Sequence, residues 1–109
     1  MQTIWITGGS SGIGFATAKE FLKNNWQVII SSSSQEKLNN AKTRLNEINK
    51  KNLLHIIKCD ISIKKEVDET VENIEKNIGK IDIALLNASA YSPNKDQTFD
   101  ISNYELLID

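Results

Sequence analysis

The stretch Thr7-Gly8-Gly9-Ser10-Ser11-Gly12-Ile13-Gly14 limits this chain more than any other, because the β-rich run Ile4-Trp5-Ile6 precedes it and an amphipathic helix pattern follows. In that pattern Ile13, Ala16, Ala18, Phe21 and Leu22 recur at roughly helical spacing and form the expected apolar stripe. Glycines at positions 8, 12 and 14 let the backbone bend sharply, approach a ligand closely and pack the new helix tightly on the strand. Amides at a helix start lack intrahelical acceptors and carry the positive end of the dipole, so the bend reads as a site for an anion such as a pyrophosphate. Ser10 and Ser11 add hydroxyl donors. The order Gly-x-x-x-Gly-x-Gly differs from the Gly-x-Gly-x-x-Gly dinucleotide fingerprint, and the weight therefore rests on the strand before and the helix after.

Strand and helix patterns then alternate. The first helix is expected to end near Asn24-Asn25, and Trp26 to Ser31 reads as a strand whose unbroken Val28-Ile29-Ile30 run suits a parallel sheet covered on both faces. Ser33 and Glu36 form a candidate capping box for a second helix with the stripe Leu38, Ala41, Leu45 and Ile48. A third strand spans Leu53 to Lys58. Ser62 is the expected cap of a third helix that buries Val67, Val71, Ile74 and Ile78 and stops at Gly79 as its C′ residue. Ile81 to Leu86 is the fourth strand, Tyr91 to Gln97 a loop, and Ile101, Tyr104, Glu105 and Ile108 suggest a final helix. The fold class expected is an α/β, doubly wound parallel sheet of about four strands with three to four helices, one domain over residues 1–109.

In such a sheet ligands gather outside the carboxyl ends of the strands. Gly8 to Gly14 follow the first strand, Ser31 to Ser33 the second, Asp60-Ile61 the third, and Asn87-Ala88-Ser89-Ala90 the fourth, so one crevice is expected to be lined by all four. Where dinucleotide sites often carry an acid for the adenosine ribose, or a cation nearby for a 2′-phosphate, this chain has Ser32 and Ser33. The serines leave a 2′-phosphate unopposed, which favours NADP over NAD weakly, and they can cap a helix at the same time. Asp60 can accept a hydrogen bond from an adenine amino group, or can turn the chain before Ser62.

A net charge of −1 with scattered lysines gives no basic footprint for nucleic acid. A single cysteine, Cys59, allows no internal disulfide and suits a reducing compartment. Met1 leads within three residues into the first strand pattern and no apolar run approaches membrane-spanning length, so a cytoplasmic protein without membrane insertion is expected. One Cys and one His give no metal site, and His55, inside a strand pattern, reads as packed or partly exposed and not as a base.

The segment from Thr7 to Gly14 closely resembles the Thr-Gly-x-x-x-Gly-Ile-Gly segment of the short-chain dehydrogenase/reductase family. Asp60-Ile61 is similar to the family's Asp followed by an apolar residue, and Asn87 resembles the second Asn of its Asn-Asn-Ala-Gly segment, with Leu86 in place of the first Asn and Ser89 in place of the Gly. The resemblance runs from Ile4 to about Asp109 and implies a Rossmann-like fold that is truncated relative to the family. The implied cofactor contacts are Gly8, Ser10, Ser11, Gly12, Ile13, Gly14, Ser32, Ser33, Asp60, Ile61, Asn87, Ala88 and Ser89. Tyr91 and Lys95 have the family's catalytic Tyr-x-x-x-Lys spacing, but Pro93 between them disrupts the helix that pair needs and the position is too early, so no catalytic residue is assigned. The segment from Asn103 to Asp109 resembles the helix that in the family leads to a catalytic Asn.

The resemblance implies the NAD(P)-binding part of an oxidoreductase that moves hydride to or from a carbonyl or alcohol carbon. Without the family's Ser, Tyr and Lys, these residues alone are expected to bind cofactor without turnover, and the substrate stays open. The alternatives are a non-catalytic nucleotide-sensing or protein-interaction module and an inert remnant. An unpaired edge on the fourth strand, with Leu106, Leu107 and Ile108 partly uncovered, is expected to drive self-association.

Overall fold

A computed structural model describes residues 1–8, 10, 12–86 and 105–108. A strand over Thr3–Thr7 (β1) leads through the glycine bend into a helix over Gly12–Lys23 (α1). The strand Gln27–Ser32 (β2), helix Gln35–Leu45 (α2), strand Leu54–Lys58 (β3), helix Lys64–Asn77 (α3) and strands Ile83–Leu86 (β4) and Glu105–Ile108 (β5) follow. All neighbouring strands are parallel, in the order β3-β2-β1-β4-β5. The chain winds outward from β1 to β3 and then crosses to β1's other side to begin β4. The winding therefore reverses between β1 and β4, which is where sheets of this kind open a ligand crevice at their carboxyl edge.

Continuous apolar runs are needed because both faces of the sheet are covered. Ile4 and Ile6 of β1, Val28 and Ile30 of β2 and Leu85 of β4 pack with Ala18 and Leu22 of α1 and Leu38, Ala41 and Leu45 of α2. The alternate residues Trp5, Ile29 and Ala84 join Val67 and Ile74 of α3 in the second core. Each fully buried Ile, Leu or Val contributes about 1.5–3 kcal/mol relative to exposure, so the sheet is held from both sides.

Several expectations change in the structure. Of the expected final helix, residues 105–108 form a strand, and residues 101–104 lie outside the described residues. The Glu105–Ile108 segment adds to β4 in register, with Ile83 opposite Glu105 and Leu86 opposite Ile108. A short run with three apolar residues, Leu106 to Ile108, fits strand or helix alike, and the β4 ladder next to it decides. The same pairing removes the unpaired β4 edge from which self-association was expected. The α2 cap is Ser34, one residue after Ser33: the Lys37 amide donates to Ser34 Oγ at 3.2 Å from a helix start whose cap residue is extended. Four consecutive serines offer the same side chain, and backbone conformation selects among them.

Ser62 does not cap α3. The residue at the cap position is Ile63, without a side-chain bond, and Ser62 turns back to Asp60. On α1 the buried positions are Gly14, Ala18 and Leu22, while Ile13 and Ala16 are exposed. Gly79 does follow α3, but the positive-φ glycines described are Gly8 and Gly12. At Gly79 it is crowding that disfavours a side chain, since a Cβ there would lie 3.3 Å from Thr3 Oγ1. The end of α1 is as expected, with Asn25 taking φ 65 just past the helix, a conformation asparagine tolerates. Among the described residues no helix is long and apolar enough to cross a membrane.

Candidate functional site

The pairing registers bring the strand ends together. Thr7 lies beside Ser31 on one side and Leu86 on the other, and Ser32 lies beside Lys58. Local bonds then fix this edge. The buried Thr7 hydroxyl donates to the Leu85 carbonyl at 3.4 Å, tying β1 to β4 at the reversal point. The buried Trp5 indole N–H donates to Ser31 Oγ at 2.9 Å, and the Gly8 amide donates to the Ser31 carbonyl at 2.8 Å.

That last bond corrects one detail of the anion reading. The amide of Gly8 continues the β1–β2 ladder, so the donors left to an anion belong to the start of α1 and not to the first glycine. Gly8 and Gly12 take φ of 71 and 60, the left-handed region that glycine enters at least cost. A Cβ built on Gly12 meets nothing within 4 Å, so the bend is open above that residue. Gly12 and Ile13 are exposed at the helix start and Gly14 is buried; Ile13 is 59% exposed, an isoleucine left out of the core.

Around the second strand end, Ser32 Oγ accepts from the Ser34 amide at 3.1 Å and the Ser32 carbonyl accepts from Cys59 N–H at 3.0 Å. Ser33 is exposed. Lys58, exposed beside Ser32, is a cation at this edge that reading the chain in order does not find, because only the β2–β3 register makes the two neighbours. At the third strand end Asp60 Oδ1 accepts both the Ser62 amide at 2.9 Å and the Ser62 hydroxyl at 2.7 Å, while the Asp60 amide donates to Glu66 Oε1 at 3.1 Å. The turn-forming role of Asp60 is thus present. Ile61 is buried in the core beneath α3, so only its main chain is placed to meet a ligand.

Of the candidate contacts, the structure brings Gly8, Ser10, Gly12, Ile13, Gly14, Ser32, Ser33, Asp60 and Ile61 to one edge of the sheet. Ser11, Asn87, Ala88 and Ser89, together with Tyr91, Pro93 and Lys95, lie outside the described residues. Two features of the edge are ones that dinucleotide sites use, a glycine bend at a helix start and a carboxylate held in a fixed turn further out, while the β2 end carries serine where such sites often carry an acid. Burial pushes the Cys59 thiol up; a hydrogen bond with Thr70 opposes this, and the Glu66 and Asp60 carboxylates add to the rise, so Cys59 is a poor nucleophile. His55 points elsewhere. Its Nε2 lies 3.2 Å from Gln27 Oε1, Gln27 Nε2 donates to the Ile78 carbonyl, and burial lowers the imidazole pKa. With the amide oxygen facing it, Nε2 must carry the proton. Among the described residues no group of three His, Cys, Asp or Glu is arranged to hold a metal.

A family model described as short chain dehydrogenase matches residues 2–109. An uncharacterized oxidoreductase of Staphylococcus haemolyticus is 33% identical over 104 residues, which is 95% of this chain and 43% of that protein. The chloroplastic chlorophyll(ide) b reductase NOL of Arabidopsis thaliana is 42% identical over 91 residues, 82% of this chain and 26% of its own length. A short chain dehydrogenase from Bacillus anthracis superposes with a TM-score of 0.72 at 33% identity, covering 80% of this chain and 34% of that structure. The chain therefore spans less than half the length of these relatives.

Proposed function

The chain belongs to the short-chain dehydrogenase family, and from that premise we propose that it is the NAD(P)-binding portion of an oxidoreductase acting between a carbonyl and an alcohol. The observation that carries this reading is the glycine bend with two left-handed glycines, opening onto the start of α1 beside the β1–β4 reversal. In it the α1 amides meet the diphosphate, Ile13 covers it, Ser32 and Ser33 meet the adenosine ribose, and Asp60 with Ile61 meets the adenine. Ser11, Asn87, Ala88 and Ser89 complete the contacts by resemblance to the family. The bound nicotinamide supplies hydride chemistry; the residues here supply only binding and orientation. Proton transfer in the family uses a Ser, a Tyr and a Lys that have no counterpart in the matched half, so these 109 residues alone are proposed to bind without turnover.

NADP is the preferred cofactor in this reading. Ser32 presents no negative charge to a 2′-phosphate, and Lys58 stands beside it in register. Calorimetric titration with NADPH and NADH tests both levels. Binding of either supports the dinucleotide site, and absence of both removes it. Ser32→Asp is expected to weaken NADPH about tenfold through charge repulsion while leaving NADH within about twofold. Cytoplasmic location remains part of the proposal. Self-association now rests on the outer edge of β5, and sedimentation velocity tests it, with a monodisperse monomer removing it.

A further inference from the structure

We propose that Glu66 is a positioning residue for the adenine end of the site, holding the Asp60 amide with its carboxylate and so setting the turn that presents Asp60 and Ile61 to the base. This rests on the dinucleotide-binding reading above. Glu66 is the third residue of α3 after Ile63 at the cap position, where a glutamate ordinarily reaches back to the amide of the cap residue itself. Here that amide is already used, because Ile63 N–H donates to the Asp60 carbonyl at 3.0 Å. The Glu66 carboxylate instead passes beyond it and accepts the Asp60 amide at 3.1 Å.

Asp60 is consequently fixed at three atoms: its amide by Glu66, its carbonyl by Ile63 and its Oδ1 by both donors of Ser62. Three of these four bonds come from Ile63 and Ser62 in the turn itself. The fourth comes from Glu66 of α3, whose neighbouring Val67 is buried in the core, so the glutamate is mounted on a fixed support. A carboxylate in the first turn of a helix is also favoured by the helix dipole. Asp60 thus takes its orientation from the helix and not from the loop alone, and the cleft edge where a base would lie is built by a residue that need not touch it.

The test measures affinity for NADH and for its hypoxanthine analogue, which lacks the exocyclic amino group that Asp60 would accept. Wild-type protein is expected to favour the adenine form roughly three- to tenfold, the size of one hydrogen bond. In Glu66→Ala and Glu66→Asp, whose side chains cannot reach the Asp60 amide, that ratio is expected to fall to within about twofold of unity, while Glu66→Gln, which keeps an acceptor oxygen, retains it. If both ligands weaken together and the ratio stays at its wild-type value, Glu66 is structural only and the inference fails. Equal binding of the two ligands by wild type overturns the inference and leaves the dinucleotide site standing, whereas binding of neither overturns both. Should Glu66→Ala fail to fold, the Gln and Asp variants carry the same contrast.

Discussion

The two ends of the same parallel strands are built differently. At their amino ends the protein's groups bond to one another: Thr3 N–H donates to Asp82 Oδ2 at 2.8 Å, Asp82 N–H to the Thr3 carbonyl at 2.9 Å, Gln27 N–H to the Gln2 carbonyl at 2.9 Å and Gln27 Nε2 to the Ile78 carbonyl at 3.2 Å. At their carboxyl ends the strands run into left-handed glycines, an exposed isoleucine and the start of α1. Both ends carry bonds between strands, but it is the carboxyl end that also opens into the glycine bend and the start of α1. The contrast teaches that in this sheet stability and binding are separable along the strand direction, so that substitutions at each end should move different observables.

The largest effect is expected from Gly12→Val. A β-branched residue at φ 60 costs about 2 kcal/mol, so either the bend relaxes or the helix start shifts, and NADPH affinity should fall roughly thirtyfold by calorimetry. Unchanged affinity would put the phosphates somewhere else. Asp82→Ala should do the reverse. It removes the acceptor of the part-buried Thr3 amide and should lower stability by about 1–2 kcal/mol in urea unfolding without changing NADPH affinity by more than about twofold. A large loss of affinity in folded Asp82→Ala would erase the distinction between the ends.

Thr3→Val sharpens it. Thr3 Oγ1 is buried with no hydrogen-bond partner among the described residues, so exchanging the hydroxyl for a methyl of similar shape should raise stability by about 1 kcal/mol, read from the same unfolding curve. The smallest effect belongs to His55. Burial holds its folded pKa below the ordinary 6.5, so the unfolded chain binds more protons between the two values. Its contribution to stability is present above pH 6.5 and is lost as pH falls through the folded pKa. Unfolding free energy followed against pH should fall less steeply on acidification through that window in His55→Gln than in the wild type.

Much of the fold was legible because unbroken apolar runs such as Val28-Ile29-Ile30 and stripes such as Leu38, Ala41 and Leu45 each allow one placement in a sheet covered on both faces. What escaped depends on partners distant in the chain. Glu105–Ile108 is a strand because β4 lies next to it, and the Gly8 amide is engaged because Ser31 stands opposite. Within the site, Gly12, Ser32 and Asp60 were found from their places after strands. Lys58 was not, because its neighbour Ser32 is known only from register; Glu66 was not, because Ser62 offered a simpler cap. The spacing of Ile13 fits the apolar stripe, yet the buried face of α1 runs through Gly14, Ala18 and Leu22 and leaves Ile13 exposed.

Ser31 holds the Trp5 indole through its hydroxyl and the Gly8 amide through its carbonyl, so an optical probe is wired one residue from the glycine bend. The other tryptophan, Trp26, half-buried and edge-on to Phe21 at 4.8 Å, sits past the far end of α1 from that bend. With Trp26 replaced by Phe, the remaining tryptophan emission comes from Trp5, buried in the core and bonded to the residue that also holds the Gly8 amide, so a ligand settling at the bend becomes readable by light without attaching a dye.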